Sequence, residues 1–143
     1  VHGVTIYDGT PDQKVTLTSN PYDWLEASFF YTNIQGLPYP GYEYQDYKDK
    51  GFNLKLRLKK EGVLPAIAVG LNDFAGTGFY SSEYIVSSYG VGNIDMHFGL
   101  GWGQLNGTKE FKNPLSYVSD SFSNRPIGFD FGCSLEPKKY FSD

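Results

Sequence analysis

The 143-residue chain has few of the groups from which disulfides and metal sites are built. Its single cysteine, Cys133, cannot form a disulfide within the chain, and its two histidines are His2 and His97. No Cys or His spacing typical of a zinc site occurs. We therefore expect no metal and no cofactor, and we interpret Cys133 as a small apolar side chain at the end of a strand.

Long apolar runs and basic blocks are also missing. No stretch approaches the roughly 18 apolar residues that a transmembrane helix needs. The chain begins Val1-His2-Gly3-Val4, without an initiator Met or the regions of a signal peptide, so we interpret it as a mature or partial polypeptide. Lys and Arg are dispersed and the formal net charge is −4, which argues against nucleic acid as a partner.

The sequence is rich in residues typical of β-sheets and turns. Twelve tyrosines, 11 phenylalanines and 17 glycines accompany an almost complete lack of helical periodicity. Turn clusters divide the chain, which we treat as a single domain over 1–143, into short segments joined in sequence. We predict an all-β antiparallel up-and-down meander of about eight strands, with loops over 34–49 and 104–126. The predicted strands are 4–7, 14–18, 24–32, 51–60, 63–72, 79–88, 93–103 and 127–135.

Strict alternation marks two of these segments. Within 93–103, one face consists of large apolar side chains and the other of small or polar residues. Within 51–60, every charge lies on the face opposite the leucines. A barrel strand with lipid outside and a polar lumen has this pattern, and about 9–11 residues suffice to cross a bilayer. A soluble sheet with one wet face shows the same alternation, so the pattern leaves both interpretations open. The apolar positions are Phe52, Leu54, Leu56, Leu58, Ile94, Met96, Phe98, Leu100 and Trp102.

Polar residues on the inward face form the first candidate site. Functionally they predict a polar track for an acidic glycan; structurally they predict a salt-bridge network that fills the lumen. Asp95 and His97 also lie two residues apart on one strand face, where the Asp can orient the His for base catalysis. No nucleophile motif accompanies that pair, so we expect no enzyme. The residues are Lys55, Arg57, Lys59, Glu83, Asp95 and His97.

A tyrosine-rich loop forms the second candidate site. Tyr39, Tyr42, Tyr44 and Tyr47 fall within the predicted loop 34–49. Aromatic rings suit the apolar faces of sugars, so the loop can stack on carbohydrate at the surface. The other interpretation is an interfacial or self-packed loop.

Six segments, in this order and spacing, resemble the YjbH family of bacterial outer-membrane proteins, which includes the GfcD proteins of capsule gene clusters. The segments are PYDWLEAS at 21–28, YKDKGF at 47–52, LKLRL at 54–58, LPAIAVGL at 64–71, GTGFYSSEY at 76–84 and GLGWG at 99–103. The likeness extends over roughly 20–126.

The resemblance implies a β-barrel in the outer membrane of a diderm bacterium, associated with export or assembly of surface exopolysaccharide or capsule. The expected partners are outer-membrane lipid, polysaccharide, and other secretion components or missing barrel strands, because family members are several times longer. About eight strands close only a narrow, filled barrel, so transport requires additional strands. The alternative is a soluble β-sandwich or small barrel that binds carbohydrate through exposed aromatics.

Overall fold

The computed structural model describes residues 1–39, 41–78, 80–105 and 112–122. Seven strands form one sheet in the order in which they occur in the chain, and every neighbouring pair is antiparallel. The predicted all-β meander is therefore confirmed, while the predicted strand 127–135 and Cys133 lie outside the described residues. The strands are β1 (His2–Asp8), β2 (Asp12–Tyr22), β3 (Leu25–Tyr39), β4 (Tyr42–Lys59), β5 (Ala66–Asn72), β6 (Ser82–Val91) and β7 (Ile94–Gly103).

The register aligns residues of like polarity from strand to strand. The row Leu25, Leu56, Val69, Ile85 and Leu100 crosses five strands and is apolar throughout. The adjacent row, which lies on the opposite face, consists of Glu26, Lys55, Gly70, Tyr84 and Gly101. The alternation predicted within single strands therefore extends from β3 to β7 along these two rows, while Lys50 and Glu83 interrupt the apolar face elsewhere.

From β2 to β5 the apolar face is the more exposed one, whereas both faces of β1 and most of both faces of β7 are exposed. Leu17 and Phe98 are 49% and 71% exposed, whereas Thr32 and Asp49 on the polar face are 1% and 0% exposed. A single-layer sheet buries one face only by curving around it. We therefore call the polar face the inner face and the apolar face the outer face. Phe30 and Tyr47 pack among the polar groups of the inner face.

The sheet is open at both edges. β1 pairs only with β2, and β7 pairs only with β6, within the part of the chain that the structure describes. Each edge strand therefore presents a row of backbone N–H and C=O groups that this sheet does not satisfy.

The β3–β4 hairpin corrects the predicted loop 34–49. β3 continues to Tyr39 and β4 begins at Tyr42, so that only two residues connect them. The glycine and prolines that suggested a loop instead accompany register shifts, because Gly36 adopts φ 77° and the pairing shifts on either side of Pro38. Tyrosine favours strands, and the rings of Tyr39 and Tyr47 stack with centroids 5.5 Å apart.

The β5–β6 connection, residues 73–81, extends the sheet beside β4. Phe52 N donates to Ala75 O at 3.1 Å, Phe74 N donates to Phe52 O at 3.0 Å, and Thr77 N donates to Lys50 O at 3.1 Å. These bonds satisfy backbone groups of β4 beyond the end of β5. They also explain why β6 begins at Ser82 rather than at the predicted residue 79.

Two short 3-10 helices, Pro114–Tyr117 and Asp120–Phe122, lie within the predicted loop 104–126. The Asn113 side chain caps the first by accepting a hydrogen bond from Leu115 N at 3.0 Å. No helix in the described ranges is long and apolar enough to cross a membrane.

Replacement of Gly76 by Ala should destabilise the fold. Gly76 has φ 151°, and a Cβ there would lie 2.0 Å from Lys50 O, so the connection must move away from β4. We expect the free energy of unfolding to fall by about 1–3 kcal/mol, the usual cost of a strained backbone position. The measurement is the urea midpoint of the refolded protein, followed by tryptophan fluorescence.

The matched control is Gly62→Ala, because a Cβ at Gly62 has no heavy atom within 4 Å. Equal midpoints for the two variants would contradict the pairing of this connection with β4.

Candidate functional site

The inner face contains a pocket of about 250 Å³ beside the two-residue β2–β3 turn. Its floor is made of small side chains on β5, and its wall carries charged side chains of β3 and β4. The lining residues are Asn20, Asp23, Trp24, Leu25, Glu26, Lys55, Arg57, Ala66, Ala68, Val86 and Ser88.

Lys55 and Arg57 are the cations of this pocket. They occupy successive inner positions of β4, about 7 Å apart along the strand. Among the described residues, neither has a carboxylate oxygen within 4.0 Å. Glu26 is opposite Lys55 in the register, but its Oε2 accepts a hydrogen bond from Asn20 Nδ2 at 3.2 Å. The described residues therefore do not form the predicted lumen salt-bridge network around these two cations.

The mouth of the pocket has an exposed ion pair. Lys60 Nζ lies 3.5 Å from Asp23 Oδ2, and both side chains are more than two-thirds exposed. An exposed pair of this kind contributes about 0–1 kcal/mol to stability. Trp24 lines the pocket beside Asp23, and Tyr22 stacks on its ring with centroids 5.4 Å apart and planes 5° apart.

Asp95 and His97 both lie on the inner face of β7. His97 Nδ1 is 2.8 Å from Ser88 Oγ, its register partner on β6. The same pairing occurs at the other edge of the sheet, where His2 Nδ1 is 3.0 Å from Ser19 Oγ. This geometry is that of a cross-strand polar pair.

Two residues of the first predicted site, Lys59 and Glu83, do not lie on the inner face. A register shift between Arg57 and Lys59 places Lys59 opposite Ile67, which belongs to the outer face. Glu83 is paired with Leu71 and Trp102 and is also on the outer face. The prediction was wrong for both residues. A bulge changes the parity of β4 before Lys59, and in β6 the charged Glu83 shares a face with the apolar Ile85, so polarity does not indicate its face.

Glu83 is buried against the segment 112–122. Asn113 Nδ2 donates to Glu83 Oε2 at 3.0 Å and to the Phe122 carbonyl at 3.3 Å. Asn113 and Phe122 are themselves buried. A carboxylate on the apolar face is thus covered and hydrogen-bonded, a role for Asn113 that no sequence pattern indicated.

The four predicted surface tyrosines divide into two pairs. Tyr39 and Tyr47 stack on one another, and Tyr47 is fully buried, so its assignment to the surface was wrong. Tyr42 and Tyr44 are exposed, Tyr44 to 85%, and meet edge to face with centroids 5.8 Å apart. Tyr42 and Tyr44 therefore remain as candidates for contact with carbohydrate.

A second polar cluster lies at the opposite end of the inner face. Lys14, Thr32 and Asp49 are aligned across β2, β3 and β4. Thr77 donates a hydrogen bond to the Asp49 carboxylate, and Lys50 N donates to Thr77 Oγ1 at 3.2 Å. This cluster fastens the β5–β6 connection to the sheet. Lys14 and Asp49 belong to different strands, so it is the register with β3 that places them on one face.

Tyr80 joins this cluster. Burial raises the pKa of the Tyr80 phenol above its usual value of 10.0, and the carboxylates of Asp12 and Asp49 raise the pKa further. Asp12 also does so through a side-chain hydrogen bond. In the part of the chain that the structure describes, no three His, Cys, Asp or Glu side chains are grouped to hold a metal ion.

These features define a class of protein: an all-β meander with inverted polarity, apolar outside and charged inside. The chain belongs to the YjbH family, because the family model described as "Exopolysaccharide biosynthesis protein YbjH" matches residues 2–143. The resemblance drawn from the six sequence segments is thereby confirmed.

The chain is similar to a protein of Escherichia coli strain K12 named "Uncharacterized lipoprotein YjbH". The two are 39% identical over 125 residues, which cover 84% of this chain and 18% of the relative. The chain thus spans less than a fifth of the length of this relative. No solved structure matches the chain.

The stability of the protein should fall above pH 10 in a manner that depends on Tyr80. Since the folded state raises the pKa of Tyr80, it holds the phenolic proton more tightly than the unfolded state does. This contribution is fully present below the unfolded pKa of 10.0 and is lost as the pH rises through the folded pKa. We expect a shallower decline of the urea midpoint with pH in Tyr80→Phe.

The absorbance of phenolate provides a second measurement. The difference titration of wild type and Tyr80→Phe should show a step above pH 10, and Asp12→Asn should move that step toward 10. Asp8→Asn, on the exposed β1, is the control. A step that is insensitive to Asp12→Asn would contradict the contact between Asp12 and Tyr80.

Proposed function

We propose that this chain is a segment of a larger outer-membrane β-barrel that serves the export or assembly of exopolysaccharide and carries out no catalysis. The observation that carries the proposal is the inverted polarity of the sheet. Large apolar side chains are exposed on the outer face of β2 and β7, while Thr32 and Asp49 are buried on the inner face. Water favours the opposite arrangement, and a bilayer around a polar lumen favours this one.

The distribution of charge on the outer face supports a lipid environment. The row Leu25, Leu56, Val69, Ile85 and Leu100 is free of charge, and so is the row Val4, Leu17, Phe29 and Phe52. A Lys or Arg on such a face costs about 2–4 kcal/mol at the bilayer midplane.

The open edges support a segment of a larger barrel. Within a bilayer every backbone polar group must be paired, so β1 and β7, which have one strand partner each in the described part of the chain, each require a further strand. The E. coli relative is several times longer than this chain, because the matched region covers only 18% of the relative. The remainder of such a protein is the natural source of those strands.

The role in exopolysaccharide export rests on the family. The family description names exopolysaccharide biosynthesis, and the E. coli relative is named a lipoprotein. A membrane barrel with a polar inner face provides a passage or an assembly platform for a hydrophilic polymer, which cannot cross hydrocarbon unaided.

The second candidate is a soluble domain that binds carbohydrate through exposed aromatics. The observation in its favour is the exposed edge-to-face pair Tyr42 and Tyr44. It requires the outer-face side chains Leu17 and Phe98 to lie in water, and it therefore predicts that charges on that face are harmless.

A matched pair of substitutions on β2 separates the two functions. Leu17 points outward and its neighbour Thr18 points inward, opposite Ser28. In the complete protein, Leu17→Arg should prevent recovery in the outer membrane, because the charge would face lipid. Thr18→Arg should be recovered at nearly the wild-type level. The measurement is an immunoblot of outer-membrane fractions after a carbonate wash.

The opposite result has a clear meaning. If Leu17→Arg is recovered as well as the wild type, or if Thr18→Arg is the more damaging change, the outer face does not contact lipid. A wild-type protein found in the soluble fraction would favour the carbohydrate-binding domain.

A further inference from the structure

We propose that the pocket beside the β2–β3 turn binds an acidic sugar residue, a uronic acid unit of the polymer, through Lys55 and Arg57. This inference rests on the proposed function and deepens it, because it assigns the substrate class and the place where the polymer meets the barrel.

The lining of the pocket carries two cations, Lys55 and Arg57, and two carboxylates, Asp23 and Glu26. Because Asp23 is paired with Lys60 at the mouth, the cations outnumber the carboxylates and favour an anionic ligand. Lys55 and Arg57 lie on the wall of the pocket, and among the described residues neither has a carboxylate within 4.0 Å. The nearest candidate by register, Glu26, accepts a hydrogen bond from Asn20. An anionic group entering the pocket would supply the missing counter-charge. The planar guanidinium of Arg57 can bind a carboxylate through two parallel hydrogen bonds.

The shape of the pocket favours one sugar ring. Its volume of about 250 Å³ is slightly below the range of about 300–1,000 Å³ typical of pockets for drug-sized ligands. Ala66 and Ala68 on β5 leave the floor open beneath the charges. The pocket therefore has room for a single ring with its carboxylate directed toward β4, and the polymer would extend beyond it.

An aromatic ring at the rim suits the same ligand. Trp24 lines the pocket and is 52% exposed. Tyr22 stacks on one face of the indole at 5.4 Å, so the opposite face is the one on which a sugar ring can pack. Cations beside an aromatic surface are the combination that an acidic saccharide requires.

The position of the pocket in the sheet fits the entry of polymer from the periplasm. The pocket lies at the end of the sheet where connections of two, six and two residues join β2 to β3, β4 to β5 and β6 to β7. The β1–β2 and β3–β4 connections at the other end have three and two residues. The nine-residue β5–β6 connection also lies at that other end, toward which the long β3–β4 hairpin extends. Outer-membrane barrels have short turns on the periplasmic side and longer loops outside.

Titration calorimetry of the complete protein in detergent micelles tests the inference. The probes are tetragalacturonate, which has a carboxylate on each ring, and maltotetraose, which is neutral. We expect binding of tetragalacturonate that weakens as NaCl is raised, and no detectable binding of maltotetraose. Arg57→Gln should weaken the affinity at least tenfold, and Ala68→Leu should abolish binding because it fills the floor.

The matched control is Lys59→Gln. Lys59 is exposed on the same strand, but the register shift places it opposite Ile67 and off the inner row. This variant should keep the wild-type affinity. A comparable loss in Lys59→Gln would show that net charge rather than the pocket governs binding.

Two readouts keep this inference distinct from the proposed function. Equal affinity for the two probes, or unchanged affinity in Arg57→Gln, would overturn the pocket assignment. This holds even if the wild type and the Arg57→Gln variant are both recovered in carbonate-washed outer membranes. Absence of the wild-type protein from that membrane would instead overturn the proposed function.

Discussion

The fold depends on one constraint: between the irregularities near Pro38 and Leu58, neighbouring strands keep the alternation of polar and apolar side chains in a common register. Because successive side chains point to opposite faces, a slip of one residue in any strand would move its whole apolar set to the inner face. The row from Leu25 to Leu100 shows that neighbouring strands keep a common register. Inverted polarity and the charged pocket both follow from this arrangement.

The parts of the fold that obey local alternation could be predicted from the sequence. Residues 93–103 and 51–57 lie as their period of two indicated. The parts that were missed depend on backbone irregularities or distant pairing. The shift near Leu58 changes the face of Lys59, and pairing between Tyr39 and Tyr42 turns a glycine- and proline-rich segment into a hairpin. Composition does not reveal such a change of parity.

The candidate site shows the same division. Lys55 and Arg57 could be assigned to one face from their spacing. The rest of the pocket comes from other strands, since Trp24 and Ala68 reach it only through the pairing of β3 and β5 with β4. The contact between Thr77 and Asp49 likewise spans 28 residues of sequence and depends on the folded β5–β6 connection. Register between strands decides these neighbours, and a single strand does not contain that information.

The small residues of the inner face argue for a wide barrel rather than a narrow one. Ala66, Ala68 and Gly70 occupy successive inner positions of β5, and Gly99 and Gly101 do so on β7. A barrel of about eight strands is stable only if inward side chains fill its interior. The Tyr84 ring lies over Gly70 and the Leu105 side chain over Gly101, but Ala66 and Ala68 leave the pocket open, and its two cations have no carboxylate within 4.0 Å in the described part of the chain. A barrel built on this sheet would therefore enclose solvent or polymer, which agrees with a chain that spans 18% of its relative.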